Sequence, residues 1–161
     1  MCGIVGYIGS QNAQDFVIDG LEKLEYRGYD SAGIAVNTGK DHFEIVKKVG
    51  RLQNLADALK EHPLKGHSGI GHTRWATHGK PSDVNSHPHF NKDKTLVVVH
   101  NGIIENYLEL KKDLISKGYE FISETDTEVV AHLLDSLYEG DLLEAVKKML
   151  KIIKGAYALG M

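Results

Sequence analysis

The 161 residues carry 19 Lys and Arg against 22 Asp and Glu, a formal charge of −3, with 42% hydrophobic and 25% charged residues. That balance suits one globular domain of about 150 residues with a sizeable core, and it is wrong for a disordered chain. Mild acidity spread along the chain argues against a nucleic-acid or anionic-membrane partner, no apolar run nears the ~18 residues of a membrane span, and one cysteine excludes an intrachain disulfide.

Gly3 to Ile8 is short, apolar and flanked by glycine, as a buried strand is. Asn12 to Leu24 places Phe16, Val17, Leu21 and Leu24 on one side and predicts an amphipathic helix that stops near Gly28. Ser31 to Val36 and Phe43 to Val49 read as two strands joined by a turn at Asn37-Thr38-Gly39-Lys40. Arg51 to Lys60 is a short helix carrying Leu52, Leu55 and Leu59. A strand at Ser68 to Thr73 leads into a polar stretch from Arg74 to Lys94. Loops of that length are functional or disordered.

The strand Leu96 to His100 ends at Asn101-Gly102, which reads alone as a turn. Asn106 to Lys117 then predicts a helix with Leu108, Leu110, Leu114 and Ile115 inward. Thr125-x-x-Glu128 has the form of a capping box opening a helix to about Tyr138. Asp141-x-x-Glu144 repeats the signal for a helix with Val146, Met149, Leu150 and Ile153 on its face. A further strand begins at Ala156, and the apolar ending leads us to expect a truncated chain. Strands precede helices, so the class is α+β.

Cys2 carries the clearest chemical signal. A lone cysteine is often a small buried hydrophobe, but chain ends are seldom buried without a reason. Methionine aminopeptidases remove Met1 when a small residue follows, leaving a thiol and an α-amine on one residue. With pKa values of about 8.5 and about 7.7–8.0, the amine can take the thiol proton and later return it to a leaving group.

The flanking residues extend this. Met1-Cys2-Gly3-Ile4-Val5-Gly6, Leu24-Glu25-Tyr26-Arg27-Gly28-Tyr29-Asp30-Ser31-Ala32-Gly33, Gly71-His72-Thr73-Arg74-Trp75-Ala76-Thr77-His78-Gly79, Asn85-Ser86-His87-Pro88-His89, His100-Asn101-Gly102-Ile103-Ile104-Glu105-Asn106 and Ser123-Glu124-Thr125-Asp126-Thr127-Glu128 follow one another in order. Together they resemble the class II glutamine amidotransferases, a family of N-terminal-nucleophile hydrolases. Within it, the Tyr-Arg-Gly-Tyr-Asp and Ser-Glu-Thr-Asp-Thr-Glu blocks are most similar to the amino-sugar-forming branch.

The resemblance implies an αββα four-layer sandwich, incomplete at its C-terminus, with residues 1–161 forming part of a type-2 glutamine amidotransferase domain. It further implies that L-glutamine is the substrate and that no cofactor is needed. A sugar-isomerase domain of the same polypeptide would be the partner, in a cytoplasmic homodimer. Cys2 is the expected nucleophile, with Asn101 and Gly102 as the oxyanion hole, the absent Gly102 Cβ admitting substrate. Arg74 is expected on the α-carboxylate, since a guanidinium grips it in a fork that lysine cannot reproduce. Asp126 is expected on the α-ammonium, although an aspartate near a helix start also serves as a dipole partner. Thr77 and His78 resemble further substrate contacts within a lid from Arg74 to about Pro81. Trp75, by composition a core residue, would border the ammonia exit, and Arg27 would support the nucleophile's terminus.

Three other readings are weighed. His72, His78, His87, His89 and His100 invite a metal site, but no Cys pair, His-Glu-x-x-His helix or carboxylate spacing accompanies them. A Cys–His enzyme of papain type would tolerate residues ahead of Cys2, whereas an amine-activated one would not. The third is a truncated module that only binds glutamine or assembles.

Overall fold

Alternating small and β-branched residues build the first sheet, and the computed structural model describes residues 2–75 and 79–161. Strands β1 (Gly3–Ile8), β2 (Ser31–Asn37), β3 (Glu44–Val49) and β4 (Ser68–Arg74) pair antiparallel in the order β1-β4-β2-β3. Helices α1 (Ala13–Leu24) and α2 (Leu52–Glu61) cover one face of it. There Val17, Leu21, Leu52, Leu55 and Leu59 pack with Ile34 and Val36 in one apolar core. Phe16 is not part of this core. The buried stripe runs through Ala13, Val17 and Leu21 at i, i+4, i+8, which leaves Phe16 half exposed with its ring 4.4 Å from that of Tyr7.

The second sheet has the order β5-β6-β7, from β5 (His89–Phe90), β6 (Val97–Ile104) and β7 (Gly155–Gly160). Helices α3 (Tyr107–Ser116), α4 (Thr127–Leu137) and α5 (Leu142–Leu150) close its outer face with Val98, Ile104, Leu114, Val129, Val130, Leu134 and Met149 buried. Strands β1 and β4 both meet β6, so the two sheets lie face to face and the layers run α, β, β, α. The expected α+β four-layer sandwich is the architecture observed.

Several local expectations change. Asn101 and Gly102 are not a turn after the strand. They lie inside β6, because β7 pairs with it from Val99↔Gly160 to Ile104↔Gly155. Leu108 and Ile115 face solvent, since a helix lying on one neighbour buries only the Leu110–Leu114 row. Thr125-x-x-Glu128 is not a capping box, because helix α4 starts two residues later, after Asp126. Glu128 instead accepts the Ile122 and Ser123 N–H groups and the Ser123 hydroxyl. Asp141 does cap α5, accepting from Glu144 N at 3.1 Å, while Ala145 rather than Leu150 is buried on that helix. Within the polar stretch, residues 85–91 turn inward, burying Asn85, Ser86, His87, His89 and Asn91.

Leu134 is fully buried and Leu143 is 62% exposed. Leu134→Ala is therefore expected to cost about 2–5 kcal/mol, and Leu143→Ala no more than about 0.5 kcal/mol, in urea unfolding followed by circular dichroism.

Candidate active site

The register of β1 on β4 sets Gly3 opposite Thr73, and Gly3 N–H donates to Thr73 Oγ1 at 3.2 Å. Cys2 thus emerges where β4 ends. Trp75 N–H donates to Cys2 Sγ at 3.1 Å, and Sγ lies 3.6 Å from Trp75 O. From the facing sheet, Asn101 Nδ2 donates to the Cys2 carbonyl at 3.0 Å. A cavity of about 550 Å³ opens at this junction, lined by Cys2, Arg27, Arg74, Trp75, Asn101, Gly102 and Asp126 among others.

Among the described residues, the cavity wall carries two arginines, Arg27 and Arg74, and one carboxylate, Asp126. Arg74, the last residue of β4, is buried and donates from Nη2 to Gly79 O at 3.0 Å. Burial lowers its pKa, opposed by the charges of Asp30, Cys2 and Asp126. Asp126 Oδ2 accepts the Ile104 N–H at 2.9 Å, so β6 holds the carboxylate just ahead of α4. Arg27 enters from a single 3-10 turn, Glu25–Arg27. Trp75 is half exposed, edge-on to Tyr29 with ring centres 5.5 Å apart, and is no core residue. The structure therefore brings together Cys2, Arg27, Arg74, Trp75, Asn101, Gly102 and Asp126. Thr77 and His78 lie outside the described residues.

The missing Cβ at Gly102 has a different use from the one expected. A Cβ there would stand 2.1 Å from Ala156 O, so the space it vacates is filled by β7 and not by substrate. Thr125, Thr127, Ala156 and Tyr157 also line the cavity, and the Trp75 N–H reaches the sulfur. A backbone donor leaves no mark in the identity of its residue, and the threonines' block carried only the Asp126 assignment.

Behind the cavity, between the sheets, lies a layer of histidines. His72 stacks on His87 with ring centres 4.2 Å apart and planes 14° apart, and His87 meets His89 edge-on at 4.8 Å. His100 N–H donates to His87 Nδ1 at 3.3 Å, which leaves His87 Nε2 to donate to Thr127 Oγ1 at 3.4 Å. His89 Nε2 lies 2.9 Å from Thr125 Oγ1, and His100 Nδ1 lies 2.9 Å from Thr127 Oγ1. Burial pushes His72 down to about 4, against the pull of its Asn101 and His100 hydrogen bonds. Burial also holds His87 and His89 well below the usual histidine range, helped by neighbouring histidines at His87 and by Lys47 at His89. Among the described residues, no three His, Cys, Asp or Glu are grouped as metal ligands.

A thiol on the second residue, an amide and a glycine in a facing strand, and an Arg–Asp pair in one cavity define a class of enzyme. Residues 72–161 match the glutamine amidotransferase domain family, and the chain belongs to it. It is 60% identical to a glutamine–fructose-6-phosphate aminotransferase (isomerizing) of Clostridium acetobutylicum over the whole of this chain, and 59% identical to that of Thermus thermophilus over 99% of it. The chain spans 26% of the length of either relative. Its fold is that of the N-terminal-nucleophile amidotransferases. The glutamine phosphoribosylpyrophosphate amidotransferase of B. subtilis superposes with a TM-score of 0.83 at 30% identity, covering 99% of this chain and 34% of that one. A structure described as the allosteric regulatory enzyme of purine biosynthesis gives 0.85 at 31%, with the same coverage.

The buried neutral histidines set a pH dependence. Unfolded, they take up protons near pH 6.5, whereas folded His72 does so only near 4, so stability falls as pH drops through that window. Glu128 acts in the same direction lower down. Its own burial would raise it, but His132 Nε2 at 3.5 Å and the Ile122 and Ser123 donors hold it at about 2, so its contribution is lost as pH falls from about 4.5 to about 2. Differential scanning calorimetry from pH 7.5 to 3.5 is expected to show the melting temperature falling from about pH 6.5 downward. Glu128→Gln should flatten the part below about pH 4.5.

Proposed function

We propose that this chain hydrolyses the side-chain amide of L-glutamine to glutamate and ammonia, with Cys2 as an N-terminal nucleophile. The observation that carries the reading is the convergence on Cys2 of a donor at its sulfur, Trp75 N–H, and of the Asn101 amide at its carbonyl. With Met1 removed, the Cys2 α-amine takes the thiol proton as Sγ bonds to the amide carbon. The carbonyl oxygen becomes an oxyanion, met by Asn101 Nδ2 and the Gly102 N–H. The amine returns the proton to the departing nitrogen, the C–N bond breaks and ammonia leaves a γ-glutamyl thioester. Water then attacks the thioester carbon, giving one proton to the amine, and the C–S bond breaks. Sulfur regains a proton and glutamate departs.

Arg74 binds the α-carboxylate and Asp126 the α-ammonium, a division supported by their opposite charges on one cavity. Thr77 and His78 add substrate contacts, the stretch from Arg74 to Pro81 closes over bound glutamine, and Arg27 supports the terminus. Trp75, half exposed at the rim, borders the route by which ammonia leaves. The relatives' printed name supports a wider reading, in which the ammonia aminates fructose 6-phosphate and the isomerase part is a further domain; a cytoplasmic homodimer is part of the same proposal. No helix among the described residues is long and apolar enough to cross a membrane.

Intact mass before and after 6-diazo-5-oxo-norleucine tests the chemistry. A chain lacking Met1 is expected to gain one adduct, on Cys2, blocked by excess glutamine and absent in Cys2→Ala. No adduct on a chain lacking Met1 would mean that this molecule is only a glutamine-binding or assembly module, and full activity with Met1 retained would point to a histidine base. Arg74→Lys keeps the charge and loses the fork, so KM for glutamine is expected to rise about tenfold or more in steady-state kinetics, with kcat changed less.

A further inference from the structure

His72 sits in the fourth strand, two residues before Arg74 of the cavity wall, is 1% exposed and is assigned no part in the reaction above. Its ring is stacked on His87, which by itself would make it a packing residue. Its hydrogen bonds say more. His72 Nε2 lies 3.0 Å from the His100 carbonyl and 2.9 Å from Asn101 Oδ1. A backbone carbonyl can only accept, so Nε2 must carry the proton. The Asn101 atom facing it must then be the oxygen, which turns Nδ2 toward Cys2, where it donates to the Cys2 carbonyl at 3.0 Å. Each donor in this chain is fixed by the one before it, starting from an atom whose role has no alternative.

We propose that His72 is a positioning residue for glutamine hydrolysis, its Nε2–H locking the Asn101 amide in the orientation that presents Nδ2 to the oxyanion. The proposal rests on the glutaminase reading of this site. A side-chain amide is nearly symmetric in shape, and nothing about its own rotamer prevents a half-turn that would swap donor for acceptor. Such a half-turn would set Oδ1 against the Cys2 carbonyl and aim a lone pair at the developing negative charge. His72 opposes it because the amide NH2 would then meet an N–H. The ring is suited to this task. Its Nδ1 is buried with no partner among the described residues, so a proton there would have no acceptor and the alternative tautomer is disfavoured. Its low proton affinity keeps it neutral through the physiological range.

The test separates positioning from packing. In the protein lacking Met1, His72→Leu is expected to lower kcat for glutamine hydrolysis about 10- to 100-fold, less than or equal to the loss of one oxyanion donor, with KM within about twofold. His72→Gln can set a side-chain N–H near the same place and is expected to recover kcat to within about threefold. In an Asn101→Ala background, His72→Leu should cost no more than about a further twofold, because the group it orients is gone. Imidazole nitrogen-15 spectra of the unsubstituted protein should show His72 with Nε2 protonated and Nδ1 bare at pH 7, a readout that needs no variant to fold. A protonated Nδ1, a full His72→Leu cost in the Asn101→Ala background, or His72→Gln as impaired as His72→Leu at equal melting temperature would each overturn the positioning role alone. An unsubstituted protein that neither hydrolyses glutamine nor takes the electrophile on Cys2 would overturn the glutaminase reading and the role with it.

Discussion

The pairing of Gly3 with Thr73 at the edge of the first sheet decides where the second residue of the chain can be. A residue at a chain end is tethered on one side only, and ordering it costs about 1–2 kcal/mol of backbone entropy. Three hydrogen bonds oppose that cost here. Gly3 N–H is bound by Thr73 Oγ1, the Cys2 carbonyl by Asn101 and the Cys2 sulfur by Trp75 N–H. Two of the three partners belong to β4 or the residue after it, so one strand both pairs with β1 and holds the sulfur. A shift of one residue in that register would turn the side chains of β1 to the other face and carry the thiol away from the cavity.

The site also depends on how the apolar burial is divided. Each sheet makes its own core with the helices on its outer face, one around Leu21, Leu55 and Ile34 and the other around Leu134, Met149 and Ile104. The inner faces are thereby released from supplying most of the apolar burial and can carry polar groups. Four histidines occupy that space, and at least one ring nitrogen of each meets a threonine hydroxyl, a backbone group or Asn101. The neutral imidazoles of His72, His87 and His89 suit such a layer, because each offers one donor and one acceptor without the desolvation cost of a charge. The cost appears in acid, where unfolded histidines gain protons that the folded layer refuses.

Most of the elements were legible in the sequence because their apolar residues follow periods of 3.6 or 2. β1, α2 and β3 fall within a residue of the expected bounds. The failures share a cause. Asn101 and Gly102 have low strand propensity, and only β7, more than fifty residues later in the chain, makes them part of a strand. Phe16, Leu108 and Ile115 have the hydrophobicity of core residues, but a helix resting on one neighbour buries a narrower stripe than hydropathy marks. Glu128 has the spacing of a capping partner, yet the loop before α4 offers it three donors and α4 begins later. At the site, the thiol and the charged side chains that line the cavity were legible through the resemblance of their blocks. The Trp75 N–H was not, because its geometry is set by a strand end and not by its side chain. The directional role of His72 was hidden for a related reason, since it depends on which neighbour faces each ring nitrogen.

The paired glycines of β6 and β7 link the site to the last described strand. A Cβ on Gly102 would stand 2.1 Å from Ala156 O, and one on Gly155 would stand 2.1 Å from Ile103 O, so each strand needs glycine where the other's carbonyl presses in. Both residues also hold φ values, +122° and +131°, that other side chains rarely adopt. The two backbones approach closely at the point where Asn101 leaves β6 toward Cys2, and Ala156 and Tyr157 come to line the cavity as a result. The orientation of Asn101 is thus constrained from two sides. In the proposed role, His72 sets which end of the amide faces Cys2, and β7 sets where the backbone carrying that amide lies. In the proposed hydrolysis neither constraint touches the substrate, and both act on an atom that has to be in place before the negative charge develops.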